Sequence, residues 1–276
     1  MKIFKAVLFS LIYMGIYYLF QFLFGTFGMF IMDTIREFKG LMTYTEIDKH
    51  LKAIDNILVV VIIISGVFSF LIYLGITYLR KQKIFRVCNF RKVKFQYLVI
   101  ALIFGISLNI INEYFLWRLL NFNIFVQVVV RYMMMTRHVT DANIILAILG
   151  VGIIGPIIEE IIFRGLIFNE LKNIMPVSVV IIAQGILFGL CHFNLMQSIY
   201  AIFMGIMLGV VYAWIKNIWI PIFIHIVNNI FMILLGRYAG VTVIQFSISI
   251  IVIILCFLYF YKEREKTMIE NTGNEV

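Results

Sequence analysis

The sequence predicts an all-α fold, a polytopic membrane helix bundle of about eight transmembrane helices. Composition, the length of the apolar runs and the placement of charge each point to it. Of the 276 residues 63% are hydrophobic and 13% charged, with a mean hydropathy of +1.04. A soluble domain keeps charged residues near a quarter of its composition, so lipid is the solvent for most of this chain. The apolar runs are long and continuous, near the ~20 residues a helix needs to cross a hydrocarbon core. They do not alternate in short segments as barrel strands would, and helices or closed barrels are the structures that satisfy a backbone in lipid.

Taken in order, the spans fall near 4–31, 57–79, 97–120, 144–171, 177–195, 197–215, 218–236 and 241–261. The first begins behind Lys2 and Lys5, is too long for a signal-peptide core and lacks a small-residue cleavage site. It reads as an uncleaved first helix. Residues 33–56 are mixed in charge and read as an external loop or short helix. Residues 121–143 alternate apolar and polar and suit the membrane interface. This gives a division into N-terminal helices and loops (1–143), a core holding the polar motifs (144–236), and a last helix with a tail (237–276).

Charge sets the expected orientation. Arg80–Gln96 carries seven basic residues and no acidic one between two apolar spans, the mark of a cytoplasmic loop facing anionic lipids. Lys172, Lys216 and the tail KEREK (262–266) join it, which places both termini in the cytoplasm. Arg131, Arg137, His138 and Arg237 then fall outside, so the bias is partial. The net charge of +9 is explained by this loop, without a nucleic-acid partner. Cys88, Cys191 and Cys256 are far apart and show no paired spacing, so a disulfide framework is not expected; Cys191 reads as packing.

Ionisable residues inside membrane helices are costly and mark functional sites. The fourth span contains GPIIEEIIFRG, Gly155 to Gly165. Glu160 and Arg164 are four apart and share a helix face. Glu159 is rotated about 100° away and is left free as a proton acceptor. Pro156 removes a backbone hydrogen bond to Gly152. The fifth span places Gln184, Phe188 and His192 on one face, and the seventh places His225 and Asn229 one turn apart. Asn228 is the weaker candidate there. Counted from the flanks, Glu159, His192 and His225 can meet near mid-membrane, opening inward.

A carboxylate, two imidazoles and a carboxamide suffice for adding water to a peptide carbonyl. Glu159, with His192, would activate the water, and His225 and Asn229 would hold the oxyanion. No cofactor is called for outright. Glu159, His192 and His225 would equally fill three positions of a zinc site, and spacing leaves the metal open. Two other readings compete: an ion-coupled transporter with the Glu/His cluster as relay, and a catalytically silent scaffold packing through Gly205–Gly209.

Glu159-Glu160-x-x-x-Arg164, Phe188-x-x-x-His192 and His225-x-x-x-Asn229 together resemble the three motifs of the CAAX protease and bacteriocin-processing family, the Abi or Ras-converting-type endopeptidases. The resemblance covers about residues 144–236. It implies an eight-helix intramembrane endopeptidase acting on a membrane-associated peptide or protein, with Glu159, His192, His225 and Asn229 catalytic and Glu160 and Arg164 supporting. It leaves open whether the peptidase is glutamate-dependent or metal-dependent.

Overall fold

The computed structural model describes residues 2–40, 42–235 and 240–273, with side chains to 265; Arg237 and Lys266, assigned sides of the membrane above, fall outside that description. The helices are α1 (Lys2–Lys39), α2 (Tyr44–Leu79), α3 (Ile84–Val87), α4 (Phe95–Leu119), α5 (Asn123–Asp141), α6 (Ile144–Leu171), α7 (Val177–Leu190), α8 (Leu195–Ile215), α9 (Trp219–Leu235) and α10 (Val243–Gly273). The protein is an integral multi-pass membrane protein. Each of the eight expected spans is a helix. Among the described residues six are long and apolar enough to cross a membrane, and α7 and α9 are shorter apolar helices.

Two boundaries differ from expectation. Residues 33–56 are helical except for a short turn, because α1 runs on to Lys39 and α2 starts at Tyr44. The start of α2 is fixed by Glu46, whose carboxylate accepts from the Thr43 backbone N–H at 2.8 Å, and Lys52 pairs with Asp48 one turn apart at 2.8 Å. Helix α7 ends at Leu190, short of the expected 195, since Asn194 caps α8 by accepting from the Gln197 N–H at 3.2 Å. Phe193 turns the chain between them in the left-handed region, at φ 51°.

One continuous core joins α1, α2, α4 and α6 to α10, while the outer faces of α1, α2 and α10 present large apolar side chains such as Phe4, Phe30, Leu71, Ile244 and Leu258. Apolar exposure on this scale is what lipid contact requires. Helices α7 and α8 approach at backbone distance. A Cβ added to Gly205 would lie 2.9 Å from the Gly185 Cα, so both positions need glycine. Gly205 and Gly209 are therefore occupied within the chain, against α7, and do not form a free packing face.

The basic segment closes one end of the bundle. Asn217 donates from Nδ2 to the Arg91 and Lys92 carbonyls, 3.2 Å each, and Ile218 N–H to the Asn89 carbonyl at 3.3 Å. Arg80 meets Glu170 and lies over the Phe9 ring. At the opposite end α5 spans from the close of α4 to the start of α6. His138 on α5 is tied to Asp55 on α2 at 2.7 Å.

Candidate active site

Helix α6 is not a regular α-helix. Wider π turns occupy Ile148–Ile154 and Ile161–Ile167, flanking an α segment Gly155–Glu160. The first has a clear cause. Pro156 has no N–H and its ring crowds the carbonyl four residues back; widening the turn relieves the clash. The Gly155 N–H then bonds the Gly150 carbonyl, five residues back. Val151 would ordinarily receive Gly155 or, in a π turn, residue 156. Gly155 is committed elsewhere and Pro156 has nothing to donate, so the Val151 carbonyl is left for a side chain. Asn229 fills that role, donating from Nδ2 at 2.9 Å. Proline on α6 thus positions the carboxamide on α9.

The two adjacent glutamates have separate environments. Glu160 and Arg164 are both fully buried, and Arg164 Nη1 donates to Glu160 Oε1 at 2.7 Å. Arg164 Nη2 donates to the Gly205 carbonyl at 3.1 Å, a carbonyl that also accepts from Gln184 Nε2 at 2.8 Å. The guanidinium lies 4.6 Å over the Phe188 ring. The same Oε1 of Glu160 accepts from His225 Nδ1 at 2.9 Å. A carboxylate only accepts, so Nδ1 carries the hydrogen and Nε2 is turned the other way. That Nε2 stands 3.7 Å from Glu159 Oε2. Glu159 keeps 21% of its side chain accessible, where His225 keeps 2%.

His192 lies just beyond α7, in the turn. Its Nδ1 donates to the Phe188 carbonyl at 2.8 Å, satisfying one of the carbonyls a helix leaves open at its end. Its Nε2 is left with a lone pair. Phe188, itself fully buried, stands edge-on to both imidazoles, at 5.0 Å from His192 and 5.8 Å from His225 between ring centres. That contact explains the aromatic four residues before His192.

Glu159, His192, His225 and Asn229 all line one cavity of about 380 Å³. It contains features the sequence reading missed. Asn228 lies in the lining beside Asn229; its Nδ2 donates to Asn229 Oδ1 at 3.1 Å, and its own Oδ1 accepts from Tyr200 Oη at 2.5 Å. Asn109 of α4 donates to the Asn228 carbonyl at 3.4 Å. Asn109 and Asn112 line the cavity together, so the third span is not the inert helix it seems. Cys191 lines it too, not mere packing. Asn109 and Asn112, three apart on an apolar helix, were the available signal.

The cavity does not open toward the basic loop, as depth counting from the flanks suggests. Tyr132, Met135, Thr136 and Val139 of α5 lie over it, and no residue of 80–94 lines it. Counting along helices fixes depth but leaves open which end of the bundle the neighbouring helices leave unpacked. A second cavity of about 600 Å³ adjoins it and shares Tyr132, Thr136 and Met232.

Zinc, left open by the sequence, finds no fitted site. Among the described residues no group of three His, Cys, Asp or Glu is arranged to hold a metal ion. Glu159, His192 and His225 are therefore not preassembled as a ligand set.

Residues 141–231 match the family described as type II CAAX prenyl endopeptidase Rce1-like. This region belongs to the CAAX protease family. Over 90 residues the chain is 36% identical to the Bacillus subtilis (strain 168) protein named "Putative membrane peptidase YdiL". That alignment takes in 33% of this chain and 37% of the relative's length. No solved structure matches the chain. The matched region holds all three motifs, from Glu159 to Asn229.

Proposed function

We propose that this protein is an intramembrane endopeptidase that cleaves a membrane-associated peptide or protein by attack of water. The observation that carries the reading is the approach of His225 Nε2 to Glu159 Oε2, 3.7 Å apart at the cavity, with the other face of His225 held by Glu160. A water lodged beside both would be about 2.8 Å from each, an ordinary hydrogen-bond length. Glu159, the accessible carboxylate, takes the proton, with the lone pair of His192 Nε2 assisting. The hydroxide adds to the scissile carbonyl, and the proton held on Glu159 passes to the leaving amine.

The negative charge that develops on the carbonyl oxygen needs donors already in place. In its charged form His225 presents a second N–H on Nε2, and Glu160 stabilises that form across the ring. Asn229 has two amide hydrogens. Val151 takes one, and the other serves the oxyanion. Arg164 acts from behind, keeping Glu160 ionised so that His225 stays oriented.

Purified protein in nanodiscs, incubated with a library of membrane-spanning peptides and analysed by mass spectrometry, tests the reading. Wild type should yield defined fragments and Glu159→Gln none. Equal cleavage by both would remove Glu159 from the reaction. No cleavage of any peptide would favour a scaffold.

A further inference from the structure

The candidate active site occupies one half of the bundle. Its lining takes the later parts of α4 and α9, the earlier parts of α6 and α8, and the turn after α7. Chain direction puts all of these at the end where α5 lies. The larger neighbouring cavity is at the same end, since α5 supplies Val129 to Asp141 of its lining. The other end is closed by the packed 80–94 segment.

The two ends differ in charge as well. The closed end carries the seven basic residues of 80–96 without an acid among them, and Lys2, Lys5, Lys172 and Lys216 lie there too. At the α5 end, basic residues are interspersed with Asp33, Glu37, Glu46, Asp48, Asp55 and Asp141. An excess of Lys and Arg in short loops keeps those loops in the cytoplasm. Combined with the placement of the cavity, the rule has a consequence that neither observation has alone.

We propose that the catalytic cavity opens to the extracytoplasmic face, and that its substrate is a membrane-bound peptide whose scissile bond is presented from that face. The substrate half of this statement rests on the peptidase reading; the orientation half does not. The paired cavities, about 380 and 600 Å³, lie under α5, whose alternating sequence suits the interface. A peptide segment anchored in the outer leaflet enters beneath α5 and reaches Glu159 without crossing the membrane.

Cysteine labelling tests the orientation. Cys88 is fully buried and cannot report, so single cysteines are placed at exposed positions in a Cys88→Ser, Cys191→Ser, Cys256→Ser background. Thr45→Cys marks the α5 end and Gln82→Cys the closed end. An impermeant maleimide should label Thr45→Cys in intact cells and Gln82→Cys only after lysis. The reverse pattern, or labelling of both from outside, would overturn the proposal. If the cysteine-free protein does not fold, the same two substitutions are read in the native background against unsubstituted protein.

Two reporters then test the substrate. Each has one membrane anchor and the same cleavable segment, displayed outside in one and inside in the other. Cleavage of the outer reporter should exceed that of the inner at least 10-fold and vanish in Glu159→Gln. Preference for the inner reporter would overturn the proposal. Expected labelling with neither reporter cleaved would sink the substrate half with the peptidase reading and leave the orientation standing.

Discussion

Helix α6 carries two glutamates that meet arginines, and the pairs are built differently. Near its end, Glu170 meets Arg80 of the distant α2–α3 turn, with 15% and 26% of their side chains accessible. In the middle, Glu160 meets Arg164 of the same helix, with neither accessible at all. The first ties separate segments together at the rim, where water screens it. The second ties nothing distant by itself, and burying it is costly. Its product is the fixed ring of His225. The contrast teaches that the inner pair serves positioning and the outer one serves assembly.

The largest effect should come from the carboxylate outside both pairs. Glu159→Gln removes the proton acceptor and leaves Glu160–Arg164 intact, so kcat should fall about 10²–10⁴-fold with the melting temperature unchanged. Retained activity would show that the accessible glutamate is a bystander. Glu160→Gln should act in the opposite manner. It strands Arg164 in a dry site, at a cost of about 3–5 kcal/mol, and the variant should melt well below wild type. Equal thermal stability of the Glu159 and Glu160 variants would break the distinction between positioning and reacting carboxylates.

Asn229→Ala should lower kcat by about 10²–10³ with little change in KM, the signature of a lost oxyanion donor. A rise in KM alone would instead make Asn229 part of substrate binding. Arg80→Gln should have the smallest effect, about 1 kcal/mol or less in thermal unfolding, as expected of a partly exposed pair. A cost as large as that of Glu160→Gln would mean that the rim pair is not screened, and the comparison would fail.

Much of the architecture was legible because lipid imposes long apolar runs, and eight of them were plain. The ends were less so. Thr43-Tyr44-Thr45-Glu46 has the pattern of a capping box, yet mixed charge around it suggested a loop. In the site, charged residues announced themselves, since an ion in an apolar helix has few structural excuses. Asn109, Asn112 and Tyr200 did not. An amide or phenol in a membrane helix is as often a link between helices, and only the three-dimensional pairing with Asn228 separates the two cases. The direction in which the cavity opens was hidden for another reason: it depends on α5, whose docking is not written in the period of any one segment.

The π turn before Pro156 has a consequence for how this helix tolerates change in length. Each residue of an α-helix advances the azimuth by about 100°, so Glu159 faces the cavity only if the count from Ile144 is kept. The widened turn holds one residue more than an α turn would. Removing a single residue from 148–154 would let the ladder close as ordinary α-helix, yet everything after it would be turned by about 100° relative to α2 and α9. Such a deletion should leave a span long enough to insert, with Glu159 misdirected and activity gone; activity retained in the deletion variant would show that the rest of the bundle, not the turn, sets the phase. The loosened turn is a register mark, one residue wide, against which the glutamates are aligned.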